Sequence, residues 1–241
     1  MRSSVQAAMF LVAMSVPVST MAGSKPLDSS HPVSRALAFF FDEREGDGEA
    51  VLRQLRPAPV SAALRAAVVA ALPHEGELQP TEDEKAKIAT LEAVFEFHER
   101  KGAIVIKVIE VGHAFVGLHA RTVLLLSRDA LSLVTAEELQ ALAAHELGHE
   151  LFWDEYQAAR VGNPARVQEL ELLCDGVAVT TLQALGQGSD ALVRAVTKMT
   201  RYNERLGATA SAASYVSLKN RRTFIETMAA RLAERRRATS R

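Results

Sequence analysis

Residues 135–149 read Thr-Ala-Glu-Glu-Leu-Gln-Ala-Leu-Ala-Ala-His-Glu-Leu-Gly-His, and they predict a helix that carries a polar cluster at 145–149. Thr135 and Glu138 stand at the two positions of a capping box, in which each side chain bonds the backbone N–H of the other residue. His145 and His149 are four residues apart. Their imidazoles therefore leave one face of the helix about one turn apart.

Two imidazoles at this spacing can bind one zinc ion through one nitrogen each. Glu146 lies beside them and can act as a general base toward a water held by the metal. Gly148 leaves room for another element to approach this helix closely. The alternative is a helix that carries two surface histidines by coincidence, and a third ligand is needed to decide between the two.

The next predicted helix, from Pro164 to about Leu185, offers that third ligand, because catalytic zinc usually has three protein ligands. Glu171 and Asp175 are four residues apart and share a face. Glu171 can bind the metal while Asp175 accepts the second N–H of a ligating histidine and fixes its tautomer. Glu169 is the rival ligand, although no Asp follows it one turn later. A solvated helix carboxylate is the alternative interpretation of Glu171.

Residues that typically begin or end helices set the bounds of the other predicted elements. The Thr135 helix is predicted to run to about Val161, where Gly162 ends it, and Asn163 caps the helix that follows. Further helices are predicted over 32–41, 60–72, 81–100, 190–206 and 217–235, the third of them opened by a second capping box at Thr81 and Glu84. Segments rich in β-branched residues predict strands over 104–109, 114–118 and 122–126, and residues 42–49 predict a loop. The fold class expected is α+β, a small sheet followed by a helical bundle.

Composition argues against nucleic-acid binding and against an internal disulfide. The chain has 241 residues, enough for one domain with a short appendage, and 48% of them are hydrophobic. Because 28 Lys and Arg are balanced by 29 Asp and Glu, the chain has no large net positive charge that would favour binding to nucleic acid. The only cysteine, Cys174, has no partner for an internal disulfide.

The N-terminus has the pattern of an export signal. Arg2 precedes the short apolar stretch 7–18, and Thr-Met-Ala at 20–22 offers a cleavage site. The interpretation is a signal peptide over 1–22, a loosely structured or short helical segment over 23–57, and a main domain over 58–241. No other segment predicts a transmembrane helix. The mature protein is therefore expected in the periplasm or outside the cell.

The run Ala-His-Glu-Leu-Gly-His at 144–149, followed by Glu171 and Asp175, resembles the gluzincin metallopeptidases. The closer likeness is to the branch that holds the CAAX prenyl proteases and the HtpX-like heat-shock proteases. The segments His-Ala-Phe-Val at 113–116 and Thr-Ala-Glu-Glu-Leu at 135–139 add to it, and the resemblance covers roughly residues 80–235. It implies a zincin-like domain with one zinc ion on His145, His149 and Glu171, and Asp175 behind a ligand.

The chain departs from that family in three places. The multi-pass membrane helices of the family are missing, and residues 152–156 are not typical of it. Where the family shows His-Pro and then an Arg that stabilises the oxyanion, this chain has Tyr215 and Val216 before Arg221. Tyr215 can donate to an oxyanion and Arg221 can supply positive charge. An ordinary tyrosine and a surface arginine are the alternative, and Arg222 leaves the register open.

Five other side chains are weaker candidates. His113 and His119 flank the predicted edge strand and either line a cleft or form its polar rim. Cys174 is either a soft zinc ligand or a core residue. Trp153 and Tyr156 shape the cleft or only pack.

The activity expected is that of a zinc-dependent metalloendopeptidase acting on a peptide or unfolded protein, without nucleic acid. One alternative is a zinc-holding, non-proteolytic module that binds a partner through the same groove. The other is a peptidase kept latent by residues 23–57.

Overall fold

The structure, a computed structural model, describes residues 31–44, 46–73, 76–208 and 216–239. The predicted signal peptide and Tyr215 lie outside the described residues. The described part is mainly helical with a small mixed sheet, which confirms the predicted α+β class. Within the same ranges, no helix is long and apolar enough to cross a lipid bilayer.

The order of elements follows the predicted outline. The described helices are α1 (Pro32–Phe41), α2 (Gly48–Leu55), α3 (Ala62–Ala71), α4 (Glu82–Ala89), α5 (Glu92–Phe97), α6 (Arg128–Leu133), α7 (Ala136–Leu151), α8 (Trp153–Ala159), α9 (Pro164–Ala184), α10 (Asp190–Arg205) and α11 (Leu218–Thr239). The strands are β1 (Glu77–Leu78), β2 (Val105–Ile109), β3 (Val116–His119) and β4 (Val123–Ser127). Three of these strands match predicted ones, whereas β1 is too short to leave a pattern in the sequence.

The sheet has the strand order β1-β2-β4-β3, so β3 is an edge strand. β2 runs parallel to β4, and β3 runs antiparallel to β4. The turn between β3 and β4 holds Ala120 and Arg121 at φ 47° and 60°. Two successive residues at positive φ are typical of a tight type I′ hairpin, although Gly and Asn suit it better.

Two predicted helices are each divided in the structure. The helix predicted to reach Val161 ends at Leu151, and α8 begins after Phe152. The Phe152 ring is buried and meets the ring of Phe39 at 5.6 Å, so the chain turns where it buries this side chain. The helix predicted over 81–100 likewise breaks between α4 and α5, where Leu91 is fully buried.

The N-terminal segment has two helices in its described part, α1 at the predicted 32–41 and α2, which was not predicted. Asp47 caps α2 by accepting the backbone N–H of Ala50 at 2.8 Å, so the predicted loop at 42–49 is shorter than expected. Phe40 of α1 and Leu52 of α2 are buried in the same core as α7 and α9. The described part of this segment therefore agrees with the second of the two predicted descriptions, a short helix, and adds α2 to it.

Helices α7 and α9 cross closely at Gly148. A Cβ atom added there would lie 2.7 Å from the Cα of Cys174, so only glycine allows this approach. On another side of α9, Phe40 of α1 occupies the space beside Gly176 in the same way. The crossing places the histidines of α7 opposite the carboxylates of α9.

Candidate metal centre

The last turns of α7 carry a group of side chains that can hold a metal ion. His145, Glu146 and His149 offer ligand atoms that all lie within 4.8 Å of one another. The two imidazole rings meet edge to face, with centroids 5.1 Å apart. His145 is buried, and Glu146 and His149 are half-buried. The predicted helical spacing therefore brings these three residues together.

The carboxylate of Glu171 faces both imidazoles. Its Oε2 lies 3.4 Å from Nε2 of His145, and its Oε1 lies 3.8 Å from Nε2 of His149. Both distances exceed those of ordinary N–H···O hydrogen bonds. Ligand atoms about 2.1 Å from a tetrahedral zinc ion are about 3.4 Å apart, so each of the two distances is close to that of a pair of ligands, one through each oxygen of Glu171.

The pKa of Glu171 is held below its usual range. Burial acts to raise this pKa, but attraction to His149, His145 and Arg221 in their protonated forms outweighs it. Glu171 is consequently a carboxylate, the form that binds a metal.

The rival carboxylate, Glu169, points to a different part of the molecule. Its Oε2 accepts from Nε of Arg35 at 2.7 Å, and its Oε1 is paired with Arg166. Residues two apart on a helix lie about 200° apart around the axis, so Glu169 and Glu171 cannot share a site.

A buried chain of charges lies behind His145. Its Nδ1 meets Oδ1 of Asp175 at 2.9 Å, and Nε of Arg221 donates to Oδ2 of Asp175 at 2.8 Å. A second nitrogen of Arg221 also contacts Oδ1. Burial acts to lower the pKa of His145, but its hydrogen bond with Asp175 and the nearby carboxylate of Glu171 raise that pKa to about 9. With Nδ1 engaged by Asp175, Nε2 is the nitrogen that faces Glu171.

Arg221 consequently has a different place from the one predicted. Its guanidinium is buried, and it lies on the Nδ1 side of His145, at 3.4 Å from that nitrogen. The guanidinium thus pairs with Asp175, and its role toward an oxyanion stays a prediction. The neighbouring Arg222 is exposed and pairs with Glu226.

Glu146 is held by the edge strand. Its Oε2 accepts the backbone N–H of Leu118 in β3 at 3.0 Å, which fixes the carboxyl between α7 and the sheet. Desolvation in this enclosed position raises the pKa of Glu146 to about 7. A group with such a pKa can both accept and donate a proton near neutral pH.

His149 differs from His145 in the charge of its imidazole. Burial lowers its pKa to about 4, so the imidazole is uncharged at neutral pH. The sulfur of Cys174 lies 3.5 Å from its Nδ1, and burial raises the pKa of that thiol. Cys174 is fully buried between the helices, which matches the core residue of the two predicted alternatives.

Tyr156 belongs to the site more closely than its sequence position indicated. Its hydroxyl donates to Oε1 of Glu171 at 2.7 Å, and its ring meets the ring of His149 at 4.6 Å. These contacts join residues on three helices, α7, α8 and α9, so no regular spacing in the sequence indicates them. Trp153, by contrast, is half-buried at the start of α8.

The two strand-end histidines lie at the rim. His119 ends β3 and is exposed, whereas His113 is half-buried with its Nδ1 3.0 Å from the carbonyl oxygen of Val111.

No family model matches this chain, and no curated protein matches it either.

Proposed function

We propose that this chain is a zinc-dependent metalloendopeptidase with a zincin-like catalytic domain. The observation that carries the proposal is that the carboxylate of Glu171 faces both histidines, with Oε2 3.4 Å from Nε2 of His145 and Oε1 3.8 Å from Nε2 of His149. Glu146, with its pKa raised to about 7, stands beside them as a base.

Two imidazoles and one carboxylate are a donor set that suits zinc. His145, His149 and Glu171 would hold the ion, and the fourth position would stay open for a water molecule or the substrate. When bound, zinc supplies Lewis acidity, which lowers the pKa of a water molecule and polarises the carbonyl of the peptide bond.

Glu146 is the residue that we assign to proton transfer. Its Oε2 is bonded to the N–H of Leu118, which holds the side chain in one position. We assign to its carboxylate the acceptance of a proton from the attacking water and the later delivery of that proton to the amine that leaves.

Asp175 and Arg221 support this chemistry from behind His145. Asp175 accepts at Nδ1, which keeps the lone pair on Nε2 for the metal. Arg221 neutralises the buried Asp175, so the carboxylate remains charged.

The position of β3 favours an extended peptide or an unfolded protein as substrate. β3 is an edge strand and touches the general base through Leu118. Such an edge can pair with one more strand through backbone hydrogen bonds.

Two alternatives from the sequence remain to be weighed. A non-proteolytic binding module has no use for a carboxyl with a pKa near 7 beside the metal ligands. The latent form would need the N-terminal segment to cover the site, but Arg35 and Phe40 of α1 contact α9 at Glu169 and Gly176 instead. These contacts give the described part of the segment a structural role.

The test compares the purified protein with its Glu146→Gln variant on casein in the presence of zinc. Loss of the proton acceptor should lower the rate by roughly 10²- to 10⁴-fold while zinc stays bound. Glu137→Gln, an exposed position on the same helix, is the matched control. If the unaltered protein binds one zinc ion but cleaves no better than Glu146→Gln, the peptidase proposal fails and the binding module takes its place.

Latency is tested with a chain that begins at residue 31, because α1 and α2 belong to the core and must stay. Activity that arises only in this shorter chain would support the latent form. Export, which we propose from residues 1–22, is tested by N-terminal sequencing of the mature protein. An intact N-terminus after expression in the native host would contradict it.

A further inference from the structure

We infer that Tyr156 is a positioning residue of the metal site, whose hydroxyl holds the carboxylate of Glu171 in its metal-binding orientation. The inference rests on the proposed function, since it gives Tyr156 a task toward a proposed ligand. It adds a residue that neither the zinc motif nor the spacing of Glu171 and Asp175 contains.

The contacts divide the two oxygens of Glu171 between two tasks. Oε1 accepts the hydroxyl hydrogen of Tyr156 at 2.7 Å. Oε2 lies 3.4 Å from Nε2 of His145, within the space that the metal would share. A hydrogen bond to one oxygen restricts rotation of the carboxylate, so the other oxygen is presented to the ion.

Tyr156 is itself fixed in place. Its ring meets the ring of His149 edge to face, with centroids 4.6 Å apart and planes at 77°. It lies on α8, which starts directly after the turn at Phe152. The divided helix therefore has a consequence for the site, because the chain that turns at Phe152 carries Tyr156 against the ligands.

Tyr156 stands toward Glu171 as Asp175 stands toward His145. In each case a side chain outside the ligand set bonds a proposed ligand, at Oε1 of Glu171 and at Nδ1 of His145. Loss of such a partner usually lowers metal affinity by roughly 10- to 100-fold.

The experiment measures the zinc affinity of the whole chain by competition with a chelator, before and after Tyr156→Phe. This change removes the hydroxyl and keeps the ring against His149. We expect zinc affinity to fall by roughly 10- to 100-fold. The matched control is Tyr202→Phe, which removes a hydroxyl that donates to Asp129 at 2.8 Å on other helices, and it should leave zinc affinity unchanged.

A double-mutant cycle with Glu171→Ala separates positioning from a general structural role. If Tyr156 acts through Glu171, Tyr156→Phe has no further effect on zinc affinity once the carboxylate is gone, whereas a structural role gives additive losses. The absorption spectrum of the Co²⁺-substituted protein should also change in Tyr156→Phe and not in Tyr202→Phe.

The outcomes separate this inference from the proposed function. Equal zinc affinity and equal cobalt spectra in the unaltered protein and Tyr156→Phe would overturn the inference and leave the peptidase proposal standing. Additive losses, or a Tyr156→Phe chain that does not fold, would also overturn it by showing a structural role. An unaltered protein that binds no zinc would refute the proposed function itself.

Discussion

The buried pair of Asp175 and Arg221 gives the sharpest test of how the site is held together. Arg221→Met keeps the length and apolar stem of the side chain but removes the guanidinium. Asp175 is fully buried, so the change removes one of the two positive partners of its carboxylate and leaves only His145. Removal of one partner of a buried ion pair costs about 3–5 kcal/mol in the free energy of unfolding.

Urea unfolding in the presence of a chelator measures this free energy without a contribution from bound metal. Arg222→Met is the control, because Arg222 is 65% exposed and pairs with Glu226 one turn away, and its loss should cost less than about 1 kcal/mol. A combined Arg221→Met and Asp175→Asn variant should lose less than the sum of the two single changes.

The difference in the free energy of unfolding between the unaltered protein and Arg221→Met should also depend on pH. Arg221 holds the pKa of Asp175 below its usual range, so the pair stabilises the protein above the unfolded pKa of about 3.9 and loses that contribution as the pH falls through the lower folded value. The gap between the unaltered protein and Arg221→Met should therefore narrow in acid. Equal stability of Arg221→Met and Arg222→Met at neutral pH would refute the reasoning.

Three other predictions follow from single contacts. Glu171→Ala should bind zinc much more weakly and contain less of it after purification, while Glu169→Ala retains it, and metal analysis showing unchanged zinc in Glu171→Ala would overturn the ligand assignment. Burial and nearby Arg56 and Arg100 lower the pKa of His98 to about 3, so the unfolded chain binds a proton that the folded one does not between about pH 6.5 and 3. The free energy of unfolding should fall by up to about 1.4 kcal/mol per pH unit on acidification through this range. Urea unfolding of His98→Gln at several pH values should show a weaker dependence of this free energy on pH. Ala120→Asn should raise the free energy of unfolding by about 0.5–1 kcal/mol because Asn tolerates the positive φ of the hairpin turn, and an unchanged or lower urea midpoint would count against this.

Local rules explain the parts of the fold that could be predicted. The capping box at Thr135 and Glu138 forms as expected, with both hydrogen bonds present, and so does the one at Thr81 and Glu84. Asn163 likewise caps α9. In each case the interacting atoms lie within one turn of chain, so the sequence alone contains the interaction.

The features that escaped prediction depend on distant residues. The helix after Thr135 ends early because Phe152 is buried against Phe39, more than a hundred positions away in the chain. Propensity alone favours continuation there, and tertiary packing overrides it. The contact of Tyr156 with Glu171 follows from the same turn and was hidden for the same reason.

The metal centre shows the same division between local and distant causes. Helical spacing places His145 and His149 on one face, and Glu171 and Asp175 on another, but it does not say how the two faces meet. Gly148 decides this, since its missing side chain lets α7 approach α9 until the imidazoles and Glu171 reach ligand spacing. The glycine in the motif therefore acts on the metal through the distance between two helices, and the chemistry of the site depends on how closely the core is packed.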